Sequence, residues 1–471
     1  MPDMLEKVCK TVLEKVTPKR AEREKIEALA KTLETKVASA AVEFGVKAKV
    51  RLEGSVAKDT WLSGEPDIDI FMRLPINIPP KSLGETALRI ARKAVEGARQ
   101  VERFAEHPYL EAFIDDVRVN IVPCYDAKYG EWLSATDRTP HHTDYVKKCL
   151  SGEMRGEVRL LKKFMKGIGV YGAEIKVGGF SGYLCELLVI HYRSFANVLK
   201  AFAHHKHKTV IDIQSHYSGR MDELMLLFKE PLIIVDPVDM RRNVASAVNP
   251  QKLYTFVAAA QAFNEKPSLK FFYPPETKAL TAEKMEEAVK NRGSALIFVV
   301  FGKVNAVPDV LWGQLYKSQR SLVKLLQIND FNVLRHTVWS NEEDLNAFIF
   351  ELQSRILPPV KTHFGPPVEK FEDFKKFLAK HTASPETVSG PFIEMGRWIV
   401  EIKRRENDAV RLLSERLKEE WRKTGVPQQI AQTLSRGFKI FFNEEIGEIY
   451  CKNRKFAEFL TEFLSGKPKW L

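Results

Sequence analysis

Apolar residues recur with helical and with alternating periods over the first 145 positions of the chain. Helical periodicity over 3–16 and 21–44 is interrupted at Thr17-Pro18. Shorter segments with a period of two predict strands at 47–52, 67–74, 109–114 and 117–123, and a helix is predicted over 84–99. These elements predict a compact α/β unit built around a small mixed sheet.

The pattern changes twice beyond this unit. Residues 153–264 are mostly helical, with the clearest periodicity at 158–166 and 183–203 and a short apolar strand at 232–235. After Lys266-Pro267 a β-α-β-β order follows a further helix, and this order is typical of a ferredoxin-like or RNA-recognition-like layer. The predicted helices there are 281–291 and 311–328, and the strands are 295–301, 332–339 and 347–352.

We therefore predict an α+β protein with four domains. The first is a head at 1–150, the second a helical neck at 151–265, and the third an α/β body at 266–360. Residues 361–471 are strongly charged, and we expect them to form a mostly helical tail that could return to the body.

The charge balance narrows the class of partner. The 471 residues include 73 Lys and Arg against 61 Asp and Glu, a net charge of +12. This excess favours a polyanion, nucleic acid first, although a basic protein without such a partner is equally compatible with charge alone. Five scattered cysteines argue against a disulfide framework or a structural zinc site, and no apolar run approaches a membrane span of about 18–20 residues. We expect a cytoplasmic protein without membrane contact.

The most informative motif is Gly54-Ser55 followed by Asp67 and Asp69 on a predicted strand. Side chains at i and i+2 of a strand lie on one face about 6–7 Å apart, so both carboxylates can reach one pair of metal ions. Two divalent cations about 4 Å apart stabilise the attacking and leaving oxygens of an in-line phosphoryl transfer. A Gly-Ser turn before a short helix suits a polyphosphate, although Ser55 could equally be an ordinary helix N-cap. The combination predicts nucleotidyl transfer.

A third metal ligand should project from the neighbouring strand, where Asn120 lies among apolar residues. An Asn carbonyl binds a metal weakly, brings no negative charge and cannot accept a proton from a hydroxyl. Asp115 and Asp116 lie nearby, but we expect them to form the turn of a hairpin. Asn120 is therefore the candidate ligand, with an ordinary buried or edge Asn as the alternative.

Several basic side chains are candidates for binding a nucleotide. Lys58 adds positive charge one turn after the Gly-Ser motif. Lys162 lies on a helix with an apolar face, and it is either a solvated lysine or a counter-charge for a triphosphate. Arg242 follows a strand-ending turn and could present its donors to a base edge or a phosphate, the alternative being a structural pair with Asp236 or Asp239.

A polar loop before a predicted helix carries Arg138, His141 and His142. Two adjacent histidines suggest a metal site, but adjacent side chains in an extended chain point to opposite sides. We therefore predict that this loop contacts phosphate or nucleotide rather than a metal.

Strings of residues along most of the chain resemble the archaeal-type (class I) CCA-adding enzymes, which are tRNA nucleotidyltransferases of the DNA polymerase β superfamily. They include Gly54-Ser55-x-Ala57, Asp67-Ile68-Asp69, Asp137-Arg138-Thr139-Pro140, Tyr171-Gly172-Ala173-Glu174 and Val235-Asp236-Pro237-Val238-Asp239. The resemblance implies a polymerase-β-like nucleotidyltransferase head that holds the metals, a helical neck that binds the nucleotide, and a body and tail that grip tRNA. It also implies template-independent addition of C, C and A to the tRNA 3′ end from CTP and ATP, and it makes a homodimer reasonable.

The resemblance assigns residues to metal binding, triphosphate binding and recognition of the base. The implied ligands of a two-metal Mg²⁺ site are Asp67 and Asp69, and the residues implied near the triphosphate are Gly54, Ser55 and Lys58. Further nucleotide-binding positions are His142, Lys162 and Tyr171. Arg242 matches the arginine that reads the incoming base together with the RNA backbone.

One departure from the family concerns Asn120, where family members carry the Asp that binds the metal activating the attacking 3′-hydroxyl. We expect the missing charge to weaken metal binding there and to lower kcat by about 10²–10⁴-fold, on the scale of a lost general base. Two other functions stay open: a catalytically weak or inactive tRNA-binding homologue, and another polymerase-β-type terminal transferase such as an oligo(A) or poly(A) polymerase. The match through the predicted neck and tail argues against the second.

Overall fold

A computed structural model describes residues 2–104, 106–419 and 421–471. The chain folds into two compact units, the first consisting of Met1–Glu276 with Pro468–Leu471 and the second of Thr277–Lys467. Within the described ranges, no helix combines the length and the apolar character needed to cross a membrane. The finer division into head, neck, body and tail stays a prediction.

The first unit begins with a five-stranded sheet and the helices around it. The elements are α1 (Pro2–Val16), α2 (Arg20–Glu43), β1 (Lys49–Glu53), α3 (Gly54–Ala57), β2 (Asp67–Leu74), α4 (Pro80–Ala94), β3 (Arg99–Phe104), β4 (Pro108–Ile114), β5 (Val117–Tyr125) and α5 (Thr139–Cys149). The strand order is β1-β2-β5-β4-β3; β2 and β5 run parallel, and the other neighbours are antiparallel. This arrangement confirms the predicted small mixed sheet.

The strand β3 begins at Arg99, which is the last residue of the helix predicted over 84–99. The helix predicted over 84–99 is α4, which begins at Pro80 and ends at Ala94. Gly97 then adopts a φ of +86°, in the left-handed region, and the chain turns into β3 at Arg99. The prediction missed β3 because its charged residues leave little apolar alternation to detect.

Alternation along β2 separates an apolar face of the sheet from a polar face. Ile68 and Ile70 are fully buried in a core shared with α2 and α4, for example with Leu33. Asp67 and Asp69 consequently lie on the opposite face, since successive side chains of a strand alternate. A shift of the register by one residue would bury both carboxylates, so the apolar core fixes the polar face.

The rest of the first unit is mostly helical, as predicted. Its elements are α6 (Gly152–Gly167), α7 (Gly182–Tyr192), α8 (Phe195–Ala203), β6 (Thr209–Ile211), α9 (Met221–Leu227), β7 (Leu232–Ile234) and α10 (Pro250–Glu265). The run of helical periodicity over 183–203 consists of two helices, because Arg193 adopts a φ of +74° and ends α7. Ser194 then caps α8 by accepting a hydrogen bond from the backbone N–H of Asn197 at 3.2 Å.

The second unit contains a four-stranded sheet of ferredoxin-like order. Its elements are α11 (Ala282–Arg292), β8 (Ala295–Phe301), α12 (Pro308–Ile328), β9 (Val333–Ser340), β10 (Asn346–Leu352), β11 (Val360–Pro367), α13 (Phe371–His381), β12 (Thr387–Glu394), β13 (Arg397–Lys403), α14 (Ala409–Glu419), α15 (Gln428–Arg436), β14 (Phe438–Phe442), α16 (Gly447–Lys452) and α17 (Arg454–Ser465). The strand order is β14-β8-β10-β9 with antiparallel neighbours. In a β-α-β-β-α-β unit this is the order four-one-three-two, which confirms the predicted layer.

The segment predicted as a mostly helical tail contains more strand than expected. β14 pairs with β8 and completes the sheet formed by residues before 353. β11, β13 and β12 form a separate three-stranded sheet. Sequence periodicity missed these strands because most side chains of β12 are exposed, so the strand has no apolar face to alternate with a polar one.

Phe164 of α6 lies at the centre of the helical part of the first unit, and its side chain is fully buried. Its ring lies 5.3–6.3 Å, between centroids, from the rings of Phe195, Phe256, Phe263, Phe271 and Phe272. Aromatic pairs at such distances add to the stabilisation that burial of the rings already provides.

We expect Phe164→Ala to destabilise the protein by about 3–5 kcal/mol, because truncation of a buried ring removes apolar contacts and leaves a cavity. The measurement is denaturation by guanidinium chloride. Leu226→Ala is the control, since this side chain is 75% exposed and its truncation should change the free energy of unfolding by no more than about 0.5 kcal/mol. Equal shifts in the two variants would contradict the assigned core.

Candidate active site

The parallel pairing of β2 with β5 places the predicted metal ligands side by side. Asp67 is in register with Arg118, and Asp69 is in register with Asn120. Register partners on neighbouring strands present their side chains to the same face of a sheet. A row of polar side chains therefore crosses four strands in the order Glu53, Asp69, Asn120 and Glu111.

Asn120 acts as a hydrogen-bond donor to Asp69. Its Nδ2 lies 2.9 Å from Asp69 Oδ1, and an ionised carboxylate can only accept, so the amide must present its NH₂ group. Burial raises the pKa of the Asp69 carboxyl to about 6, and the hydrogen bond from Asn120 opposes this shift. Only the carbonyl oxygen of Asn120 is left for a metal, and its role as a ligand stays a prediction.

Asp67 is held by an arginine that sequence analysis had not identified as a site residue. Arg118 Nε lies 2.8 Å from Asp67 Oδ1 and Nη2 donates to Oδ2, so the guanidinium binds both carboxylate oxygens. The hydrogen bonds to Asp67 raise the pKa of Arg118. The signal in the sequence was the position of Arg118 two residues before Asn120, on the strand expected beside the aspartates.

Asp115 and Asp116 form the turn between β4 and β5, as predicted. Both have left-handed backbone conformations, with φ of +48° and +63°, which are typical of a two-residue hairpin turn. Asp116 precedes Asn120 by four residues, which is about 13 Å along an extended strand. Neither aspartate can therefore replace the carboxylate that Asn120 lacks.

Gly54 lets the first turn of α3 approach Asp69 closely. Its φ is +70°, and a Cβ atom at this position would lie 1.9 Å from Asp69 Oδ2. A larger residue would therefore displace the carboxylate. Ser55 is the second residue of α3, and Glu53 occupies the N-cap position without a side-chain cap bond. The alternative that Ser55 is an ordinary N-cap is wrong, and its hydroxyl stays a candidate for binding phosphate.

Lys58 and Lys162 converge on a buried carboxylate, Glu186 of α7. Lys58 Nζ lies 2.6 Å from Glu186 Oε2, and Lys162 Nζ lies 3.3 Å from Oε1. Thr60 donates its hydroxyl to Oε1 at 2.6 Å. Each of these four residues is at most 8% exposed. The alternative of a solvated Lys162 is therefore wrong.

The two lysines keep Glu186 ionised. Burial by itself would raise the pKa of the Glu186 carboxyl, but the charges of Lys58 and Lys162 outweigh it and lower the pKa. Burial lowers the pKa of Lys162, against the attraction of Glu186. Two ammonium groups and one carboxylate give this cluster a net charge of +2 − 1 = +1. Sequence analysis missed Glu186, although a single acid within the apolar α7 was the signal.

Asp236 joins His142, Tyr183 and Arg242. Its Oδ2 lies 2.9 Å from His142 Nε2 and 2.7 Å from Arg242 Nη1, and its Oδ1 accepts a hydrogen bond from Tyr183 at 3.1 Å. The His142 ring also stacks on Tyr183, with centroids 4.2 Å apart. The structural pair of Arg242 with Asp236 is thus present. Of the side-chain nitrogens of Arg242, only Nη1 has a hydrogen-bond partner among the described residues, and the side chain is 37% exposed.

These contacts set the charges of the Asp236 cluster. Burial by itself would raise the pKa of Asp236, but the hydrogen bond from His142 and the charge of Arg242 hold it at about 2. Burial lowers the pKa of His142, so the neutral imidazole dominates at pH 7 and Nε2 carries its proton, because Asp236 can only accept. His142 therefore orients Asp236, and through it Arg242.

Within the first unit, contacts connect the Glu186 cluster and the Asp236 cluster to each other and to the segment beside β2. Lys58 directly follows α3, and its Nζ lies 5.8 Å from the centre of the Tyr183 ring. Tyr171 approaches the lysine cluster at Gly182, where a Cβ atom would lie 3.0 Å from the Tyr171 hydroxyl and 3.5 Å from Lys162 Nζ. The fold thus brings all the residues predicted from the sequence into one continuous region.

The face of the sheet that carries Asp67 and Asp69, called the acidic face below, offers oxygen donors that suit a divalent cation. Asp67 and Asp69 project from one face of β2, and Mg²⁺ is commonly bound by one or two carboxylates together with substrate phosphates. In the part of the chain that the structure describes, no three His, Cys, Asp or Glu side chains are placed to hold a metal together. Asp67 and Asp69 are the two carboxylates that fit such a cation.

Two carboxylates on one strand face, a glycine turn against them and a nearby cationic cluster define a nucleotidyltransferase site. Three family descriptions match successive parts of the chain. Residues 31–142 match the nucleotidyltransferase domain, 156–273 the second domain of tRNA nucleotidyltransferase, and 292–443 the C-terminal domain of the CCA-adding enzyme. Nucleotidyltransferases generally depend on divalent metal ions.

Individual relatives extend the match over nearly the whole chain. A CCA-adding enzyme of Methanosarcina barkeri is 40% identical over 456 residues, which cover 96% of this chain and 97% of the relative. Those of Methanothermobacter thermautotrophicus and Pyrobaculum neutrophilum are 37% and 39% identical, covering 96% and 85% of this chain and 97% and 91% of the relatives. The chain belongs to the family of CCA-adding enzymes, which confirms the resemblance found in its sequence.

Glu53, the register partner of Asp69, is a carboxyl in an unfavourable environment. It is fully buried, and among the residues described neither oxygen has a hydrogen bond of good geometry, although the Thr143 hydroxyl lies close enough to interact with the carboxyl. Arg51 Nε lies 3.3 Å from Oε1. Burial raises the pKa of Glu53 to about 7, an effect that the Thr143 hydroxyl and the charge of Arg51 oppose only in part.

We expect the Glu53 carboxyl to make the protein less stable as the pH rises from 4.5 to about 7. The folded state keeps a proton on this group that the unfolded state releases, so a rise in pH favours unfolding. Glu53→Gln should remove this contribution and raise the free energy of unfolding at pH 8 by roughly 1–3 kcal/mol. Denaturation by guanidinium chloride at pH 5 and pH 8 measures the difference.

The control for Glu53 is Glu24→Gln, at an acid whose side chain is 61% exposed and pairs with Arg20. This substitution should leave the pH dependence of stability as it is in the native protein. If Glu53→Gln also had the native pH dependence, Glu53 would not be the buried titrating group.

Proposed function

We propose that this protein adds C, C and A to the 3′ end of tRNA, using CTP and ATP, without a nucleic-acid template. The main structural support is the placement of Asp67 and Asp69 on one polar strand face with Gly54 packed against Asp69. The 37–40% identity to CCA-adding enzymes over 96% of the chain supports the same function. Mg²⁺ is the proposed cation, because the ligands are hard oxygen donors.

Asp67 and Asp69 are the proposed ligands of the metal ions. Bound Mg²⁺ would supply positive charge to the attacking and leaving oxygens of the phosphoryl transfer. Ser55, the second residue of α3 and the neighbour of Gly54, would donate its hydroxyl to a phosphate oxygen. Positioning of the triphosphate next to the RNA 3′-hydroxyl would account for much of the catalysis. Two reactants held in the right orientation react in an effectively unimolecular step instead of a bimolecular one.

Lys58 and Lys162 are proposed to attract the triphosphate. Their cluster has a net positive charge, and Glu186 keeps both ammonium groups in place. Tyr171, whose hydroxyl lies near Gly182 beside Lys162, would contact the nucleotide from the same side. Glu186 thus acts as a positioning residue in this proposal, because it binds the lysines and not the substrate.

Arg242 is proposed to read the incoming base. Asp236 binds only Nη1 of its guanidinium, which leaves the remaining donors for acceptors of a base or of the RNA backbone. Cytosine and adenine present different acceptors, and a forked donor that can be repositioned serves both. His142 and Tyr183 would keep Asp236, and so Arg242, in place between additions.

Asn120 is proposed to limit turnover because it supplies no third carboxylate. Asn120→Asp should raise the single-turnover rate of addition by about 10²-fold or more, on the scale of a restored general base. The measurement is incorporation of labelled CTP and ATP into tRNA that lacks its 3′ CCA. Asn77→Asp adds the same charge on an exposed loop and should leave the rate unchanged. If Asn120→Asp were no faster than the native chain, the missing carboxylate would not explain the rate.

A second candidate is a tRNA-binding protein of this family with little catalysis. The observations in its favour are the donor role of Asn120 toward Asp69 and the binding of Asp67 by Arg118. The addition assay separates the two candidates. Tight tRNA binding without any incorporation, in the native chain and in Asn120→Asp, would favour the second.

The predicted body and tail are proposed to bind tRNA. We also propose that the protein is a homodimer and that it is located in the cytoplasm. The net charge of +12 suits a polyanionic substrate. We expect tRNA affinity to fall by about 10³-fold or more between 50 and 200 mM salt, because contacts to phosphates release counterions. Filter binding over a salt series measures this. An affinity independent of salt would contradict an interface dominated by the RNA backbone.

A further inference from the structure

Arg118 occupies both oxygens of one proposed metal ligand. Its Nε lies 2.8 Å from Asp67 Oδ1 and its Nη2 donates to Oδ2, in the forked geometry that makes pairs of arginine and carboxylate strong. A divalent cation that binds Asp67 needs at least one of these oxygens, and it would stand beside a fixed positive charge. The guanidinium and a metal ion are therefore alternatives at the same carboxylate.

A second acceptor for the guanidinium lies close by. Glu111 is in register with Asn120, and its Oε2 lies 4.0 Å from Arg118 Nη1. Glu111 is buried, and Arg103 binds its other oxygen at 2.9 Å. The Arg118 side chain is 48% exposed, so a turn from Asp67 toward Glu111 meets solvent over about half of the side chain.

We propose that Arg118 is an internal cation that competes with the divalent metal for Asp67 and turns toward Glu111 when the metal binds. The inference rests on the proposed function, in which Asp67 is a metal ligand. Metal binding has to break the pair of Arg118 and Asp67, so the chain binds metal more weakly than two free carboxylates would. Arg118 is a positioning residue, because it controls when Asp67 is available.

The charges at the acidic face predict the order of metal affinity among variants. In the two register pairs of β2 and β5, Asp67 and Asp69 contribute −2, Arg118 contributes +1 and Asn120 contributes none, which gives −2 + 1 = −1. Arg118→Gln and Asn120→Asp each change this charge to −2, and the double variant changes it to −3. Each step should tighten the binding of a divalent cation by roughly ten-fold.

The test is the dissociation constant of Mn²⁺ alone, measured from the EPR signal of the free ion without nucleotide or RNA. Arg118→Gln should bind Mn²⁺ roughly ten-fold more tightly than the native chain. Addition of Asp67→Asn to this variant should abolish the gain, which assigns the bound ion to this site. Arg118→Lys keeps the charge but lacks the fork, so its affinity should lie between those of the native chain and Arg118→Gln.

The matched control is Arg73→Gln. Arg73 lies on the same strand and face as Asp67 and pairs with Asp126 at 2.7 Å. It is about 20 Å from Asp67 along the strand, beyond a Debye length of about 8 Å at physiological salt. This variant loses the same charge and an ion pair, and its Mn²⁺ affinity should equal that of the native chain. Thermal unfolding of every variant verifies that it is folded.

Unchanged or weaker Mn²⁺ binding by folded Arg118→Gln would overturn the proposal, and so would an equal gain in Arg73→Gln. Nucleotide addition measured in parallel tests the proposed function separately. Tighter Mn²⁺ binding by Arg118→Gln without any addition supports the competition and counts against catalysis. If the native chain adds nucleotides but Arg118→Gln does not change the Mn²⁺ affinity, catalysis is supported and the competition is overturned.

Discussion

The buried carboxylate of Glu186 is the contact on which the geometry of the candidate site depends. It lies on α7 and binds Lys58, which directly follows α3, and Lys162 of α6. An unpaired buried charge would cost several kcal/mol, so the three groups stay together in the folded state. The segment that carries Gly54 is thereby tied to the helices that carry the candidate nucleotide ligands, while the pairing of Glu53 with Asp69 brings Gly54 next to that carboxylate.

The electrostatics of the acidic face are set by β5 as much as by the aspartates of β2. Each carboxylate has one partner from β5: Arg118 donates to Asp67 and Asn120 donates to Asp69. Both partners donate hydrogen bonds, and neither adds negative charge. The scaffold for nucleotide and tRNA binding can therefore be complete while affinity for a divalent cation is reduced, because the two properties depend on different side chains.

In the second unit, a strand of the predicted tail returns to the predicted body, as the sequence analysis had allowed. β14, at 438–442, completes a sheet whose other strands end at residue 352. The three-stranded sheet of β11, β12 and β13 is inserted between them along the chain. Every residue of β8 is buried, and removal of β14 would expose the edge of this strand. The ferredoxin-like sheet therefore requires chain from both predicted domains.

The sequence by itself determined the elements with strong periodicity and the residues of the motifs. Strand β2 and its aspartates could be predicted at their correct positions, because alternation and spacing are local properties of the chain. The break at Arg193, the return of β14 and the partners of Asp67, Lys58 and Lys162 could not be. Register and ion pairing between distant segments are decided only when the strands and helices pack. The sequence marks Arg118 and Glu186 as unusual residues of their strand and helix, but it does not show which distant side chains they bind.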